Sequence, residues 1–170
     1  MNKPLYFEEY GQPGSPVIIF LHGLLGSSRN WRSIGKALSA RYHVYALDLP
    51  EHGDSPHAEQ TSLFRMAAQV GDWITQNISE KYILCGHSLG GKVAMLHTCN
   101  HPQDLLGLVV VDIAPRDYPA VHHLPNVLQH GHRHSEQGHF RMPVQCGLHG
   151  HDHPALGYVR GLRLRPVPTG

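Results

Sequence analysis

Four short apolar runs separated by helix-period segments constrain this chain more than any other feature. Val17-Ile18-Ile19-Phe20-Leu21 carries no polar residue at all, so it reads as a strand buried on both faces. His43 to Leu47, Tyr82 to Cys85 and Leu105 to Val111 read the same way. Between them, Trp31, Ile34 and Leu38 stand at helical spacing with Ser28 or Asn30 as N-cap. Leu63, Ala67, Val70 and Ile74 form a second amphipathic series capped by Thr61 or Ser62. A third helix closes at Asn100, before Pro102. Pro50, Gly53 and Pro56 make Asp48 to His57 a loop. Strand–helix alternation with fully apolar strands predicts an α/β protein with a parallel sheet and helices on both faces.

Gly86-His87-Ser88-Leu89-Gly90 reads as G-x-S-x-G between the strand ending at Cys85 and a helix opening at about Leu89. A serine there sits on a sharp strand-to-helix turn with its hydroxyl exposed, the placement a nucleophile requires. A Cβ at Gly86 or Gly90 would collide with neighbouring backbone, and Gly91 lets the helix approach the sheet. The N–H of Leu89, at the positive helix end, can face a developing oxyanion. His22-Gly23 follows the first buried strand, and a turn there brings the N–H of Leu24 opposite that of Leu89. His22 itself reads as a hydrogen-bonder that stabilises the turn, with general base as the alternative. His87 reads as structural, its side chain turned away from the serine hydroxyl.

With these residues in hand, the chain resembles the α/β-hydrolase family over about Tyr6 to Asp117. The resemblance is carried by Phe20 to Ser27, the loop Asp48-Leu49-Pro50-Glu51-His52-Gly53-Asp54-Ser55, the elbow Gly86 to Gly91, and Val109-Val110-Val111-Asp112-Ile113-Ala114-Pro115. The last string is similar to small bacterial acyl esterases active on short-chain esters and thioesters. The resemblance implies that Ser88 is the nucleophile and that Asp112 is the acidic triad member. A carboxylate at the C-terminal end of a strand beside the elbow does face the site crevice. A helix N-cap or loop acceptor is the other reading of Asp112.

The family carries its catalytic histidine in a Gly-His segment after the last strand, and here the pattern departs. Residues 121–170 hold nine of the 16 histidines, seven glycines and five prolines, with neither Lys nor Ile. No sustained period marks a strand or helix after Gln129. The expectation is a core over 1–120, an α/β-hydrolase fold that is C-terminally incomplete, and an irregular His-rich tail over 121–170. Three readings of the tail stay open: a source of the missing base, an adventitious metal binder through its H-x-H-x-H runs, or out-of-frame translation. Without the strands that would follow it, Leu105 to Val111 would be a long apolar edge.

Composition narrows the function. Lys+Arg 14 against Asp+Glu 13 leaves a net charge of +1, which gives no support for a nucleic-acid partner. No apolar run approaches the ~18 residues of a membrane span. Glu8 and Glu9 follow Met1-Asn2-Lys3-Pro4 too closely for a signal core. Cys85, Cys99 and Cys146 show no CxxC spacing. The expectation is a cytoplasmic serine hydrolase of small acyl esters or thioesters that uses no cofactor and no metal. The competing classes are an inactive remnant that retains the elbow and a His-rich metal-binding protein.

Overall fold

The computed structural model describes residues 3–58, 61–113 and 157–158. The elements in chain order are β1 (Phe7–Tyr10), β2 (Val17–Leu21), a 3-10 turn (Ser28–Trp31), α1 (Arg32–Leu38), β3 (His43–Leu47), α2 (Leu63–Asn77), β4 (Tyr82–His87), α3 (Leu89–Asn100), a second 3-10 turn (Pro102–Asp104), β5 (Leu105–Val111) and β6 (Gly157–Tyr158). They form one sheet in the order β1-β3-β2-β4-β5-β6. The central strands β3, β2, β4 and β5 run parallel.

The apolar runs follow from a two-sided core. Val17, Ile19 and Leu21 of β2 pack with Val70, Trp73, Val93 and Leu96 on the α2/α3 side. Ile18 and Phe20 point the other way and pack with Trp31, Val44 and Cys85. The stacking of Phe20 on Trp31, with ring centroids 4.5 Å apart, anchors the second layer. Alternate residues of one strand therefore bury into opposite layers, and no position is left for a polar side chain. Ser62 caps α2 by accepting the N–H of Arg65 at 3.2 Å.

The sheet is mostly parallel, as expected, and differs at one edge, where β1 joins antiparallel to β3. Its sequence, Phe7-Glu8-Glu9-Tyr10, hides this because two adjacent glutamates interrupt any apolar run. Those glutamates are held from neighbouring elements, Glu8 by Arg32 and Tyr10, and Glu9 by His43 at 2.5 Å. The cap before Trp31 is Ser27, whose N–H donates to Asn30 Oδ1 at 2.8 Å, rather than Ser28 or Asn30. Within residues 121–170 only 157–158 are described, and there β6 pairs parallel with β5 at Val109 and Val110. Over those two residues β5 is therefore not an edge. The H-x-H-x-H runs lie outside the described residues, and the described residues hold no cluster of three potential metal ligands.

Candidate active site

β4 and α3 meet at Ser88, which takes φ 50° and ψ −113°. A non-glycine residue there stores on the order of 1–3 kcal/mol of strain, held only by over-determined surroundings. Those surroundings are close backbones. A Cβ on Gly86 would lie 2.3 Å from the Gly90 carbonyl oxygen, and one on Gly90 would lie 2.5 Å from the carbonyl oxygens of both Leu21 and His22. One on Gly91 would meet Ile113 Cγ2 at 2.5 Å. Glycine at three of these positions is thus a condition for folding the turn at all. Ser88 occupies the N-cap position of α3, yet its side chain makes no capping hydrogen bond. The Ser88 N–H donates to the Val111 carbonyl at 3.0 Å, fastening the elbow to β5.

Asp112 follows Val111, the residue in register with His87. Ser88 and Asp112 therefore stand side by side at the C-terminal ends of adjacent strands, where crevices of open α/β sheets lie. Asp112 also has positive φ, at 55°. Its side chain is 88% exposed, and its Oδ2 lies 3.9 Å from His87 Nε2. The other face of the His87 ring abuts the turn after β2, where a Cβ on Gly23 would come within 2.7 Å of Nδ1 and 3.3 Å of Ser88 Cβ.

That turn supplies the second half of the site. Leu24 is 45% exposed beside the elbow. Among the described residues the N–H groups of Leu24 and Leu89 have no backbone acceptor. Leu89 opens α3, so its N–H lies at the positive end of a 12-residue helix. His22 is 1% exposed, with Nδ1 2.7 Å from the Gly23 carbonyl and Nε2 accepting the Leu49 N–H at 2.9 Å. Burial pushes its pKa below the ordinary 6.5, so the ring is neutral. Cys85, on β4 three residues before Ser88, is buried, and burial pushes its thiol up to about 12.

Sequence reasoning passed over Asp48. Its buried carboxylate accepts the Ser28 N–H at 2.5 Å through one oxygen and the Asp54 N–H at 2.8 Å through the other. Its carbonyl accepts the Ser55 hydroxyl at 2.7 Å. Gly53, at φ 55°, lies so close that a Cβ would sit 1.9 Å from Oδ2. A buried carboxylate needs this many donors to offset its lost hydration. The signal was an aspartate directly after the apolar end of β3, Val44 to Leu47, with Gly and Ser five and seven residues on. Taken alone, that pattern is indistinguishable from a solvated turn.

The remaining described histidines are engaged elsewhere. His43 meets Glu9, His52 meets the Pro50 carbonyl, and His57 meets Glu51 at 3.4 Å. His97 meets the Tyr82 hydroxyl at 2.7 Å, and the His101 ring stacks on it. Residues 121–170, apart from 157–158, lie outside the described residues, so the nine histidines there have no placement. No described helix is long and apolar enough to cross a membrane.

Comparison with known proteins agrees with this architecture. A marine microorganism esterase of known structure superposes with a TM-score of 0.66 at 40% identity, over 75% of this chain and 48% of its own. The chain is 41% identical over 100 residues to 2-succinyl-6-hydroxy-2,4-cyclohexadiene-1-carboxylate synthase of Enterobacter sp. (strain 638), covering 59% of this chain and 38% of that protein. It is 41% identical over 107 residues to an sn-1-specific diacylglycerol lipase of Mus musculus, covering 62% of this chain and 35% of the lipase. The chain thus spans less than half the length of each of these relatives. The family model for the alpha/beta hydrolase fold matches residues 16–143, and the chain belongs to that family.

Proposed function

We propose that this chain carries the nucleophile half of a serine hydrolase acting on short-chain acyl esters or thioesters. The observation that carries the reading is the backbone of Ser88, strained at φ 50° with its side chain making no capping bond. Strain of that kind at a strand–helix junction serves to present a hydroxyl. Ser88 Oγ attacks the acyl carbonyl, the C–O bond to serine forms, and the carbonyl electrons move to oxygen. The N–H groups of Leu24 and Leu89 hold that oxyanion. Asp112 orients the base that takes the serine proton. Collapse of the intermediate expels the alkoxide or thiolate with that proton returned to it, and water then cleaves the acyl-serine to the free acid and Ser88. His22, Gly23, Gly86, His87 and Gly90 build the turns and touch no substrate.

The reading includes a small-molecule acyl substrate, a cytoplasmic setting and no cofactor. It is supported by the esterase and lipase names among the relatives. The experiment compares wild type and Ser88→Ala on p-nitrophenyl acetate and on an acetyl thioester. Loss of hydrolysis in Ser88→Ala is expected, and equal rates would refute the assignment. A second reading, an elbow that turns over slowly or not at all, is favoured by one observation. Six of the seven described histidines are bonded, ion-paired or stacked with residues other than Ser88, and the seventh, His87, pairs with Asp112. Many turnovers per chain on these substrates would exclude it.

A further inference from the structure

We propose that His22 is the positioning residue of the oxyanion hole. Its ring sets the plane of the Gly23–Leu24 peptide, and its main chain ties that peptide to the start of α3. This rests on the hydrolase reading and deepens it.

The argument begins with tautomers. The Leu49 N–H can only donate, so the Nε2 it faces at 2.9 Å must be a bare acceptor. The ring proton then resides on Nδ1, which faces the Gly23 carbonyl at 2.7 Å, a group that can only accept. Two neighbours of opposite kind therefore select a single tautomer. The Gly23 carbonyl and the Leu24 N–H are opposite ends of one planar trans peptide. Holding the oxygen fixes the direction of the hydrogen. A second donor, the Gly26 N–H at 3.0 Å, closes on the same oxygen from within the turn.

The other end of His22 reaches the second donor. Its carbonyl accepts the Gly90 N–H at 3.1 Å, one residue after Leu89. The approach is close enough that a Cβ on Gly90 would lie 2.5 Å from that oxygen. The ring is backed by a stiff support, because Leu49 adjoins Asp48, whose carboxylate fastens Ser28 and Asp54. One buried residue thus connects both oxyanion donors and the loop after β3. A packing role alone would be met by leucine, which fills similar space and donates nothing.

The test is ¹⁵N nuclear magnetic resonance on the 170-residue chain. Two-bond imidazole spectra should show His22 with its proton on Nδ1, and a proton on Nε2 would overturn the proposal. Relaxation of the Leu24 N–H is then compared in His22→Asn, whose amide nitrogen can stand where Nδ1 stood, and in His22→Leu. The order parameter is expected near 0.85 in wild type and His22→Asn and below about 0.6 in His22→Leu. An unchanged value in folded His22→Leu would overturn the proposal; should that variant not fold, the tautomer decides.

A trifluoromethyl ketone gives the functional readout. Ser88 Oγ adds to its carbonyl, the serine proton goes to solvent, and the new O⁻ enters the hole. Affinity should fall about tenfold or more in His22→Leu and recover in His22→Asn. Equal affinity across the three would overturn the proposal. Ser88→Ala separates the two claims: if it binds the ketone as wild type does, the serine reading fails, and the spectra still decide the role of His22.

Discussion

The two halves of the site are built by opposite means. The elbow at Ser88 is shaped by what is absent, since its glycines let three backbones approach where any Cβ would intrude. The turn at Leu24 is shaped by what is present, a buried imidazole and a buried carboxylate that hold main-chain groups by hydrogen bonds. Excluded volume tolerates no substitution, whereas a hydrogen-bonded brace degrades in steps. The elbow should therefore fail abruptly and the brace gradually.

The largest effect is expected at Gly90. Alanine there meets two carbonyl oxygens at 2.5 Å, and backbone cannot yield as a flexible side chain can. Gly90→Ala should lose about 3 kcal/mol or more of stability in urea unfolding. Gly107→Ala, whose Cβ meets nothing within 4 Å, supplies the control and should change little.

Next is Asp48. Asp48→Ala leaves the buried Ser28 N–H and the part-buried Asp54 N–H without their acceptor and should cost about 2–4 kcal/mol. Asp48→Asn keeps one acceptor oxygen and should cost less. Equal losses would show that the carboxylate acts by volume alone and would erase the contrast drawn above.

Acid should loosen the α3 side. Burial first, and the neighbouring His101 second, depress the pKa of His97 to about 4, while Asp104 works the other way. The Tyr82 hydroxyl is hydrogen-bonded to Nε2 at 2.7 Å, deep in the same core. The unfolded chain takes the proton near the ordinary 6.5, and the folded chain resists it until about 4. Stability is therefore complete above pH 6.5 and falls by about 1–3 kcal/mol as pH drops toward 4. The depressed His22 acts in the same direction. Thermal melts from pH 7 to 4 check this, and in Tyr82→Leu plus His97→Leu the slope should flatten. The smallest effect is at the α2 cap, where Ser62→Ala should cost about 1 kcal/mol.

The contrast also explains what was legible in the sequence. Fully apolar strands such as Val17–Leu21 announce burial on two faces, and β5 spans the residues expected of it. The Gly-x-Ser-x-Gly spacing reads directly because steric demands leave one residue type permissible at each glycine. β4 runs on to His87, past the Cys85 where its apolar residues end, because Gly86 and His87 still pair with β5. β1 was missed since an edge strand takes its place from pairing with β3 and from partners for Glu8 and Glu9, none of them local. Asp48 was missed for the same reason: its donors lie 20 residues upstream and six downstream. Gly157-Tyr158 sits in the short run Ala155 to Val159, too brief to mark a strand by itself, and pairs with β5.

The central claim is that Ser88 is presented as a nucleophile, and a fluorophosphonate probe tests it most directly. Its phosphorus forms a bond to the attacking oxygen and releases fluoride, leaving a stable adduct that peptide mass mapping can locate. The account predicts a single adduct on Ser88, absent from Ser88→Ala and slowed in His22→Leu. An adduct on another serine, or equal labelling of wild type and Ser88→Ala, would contradict it.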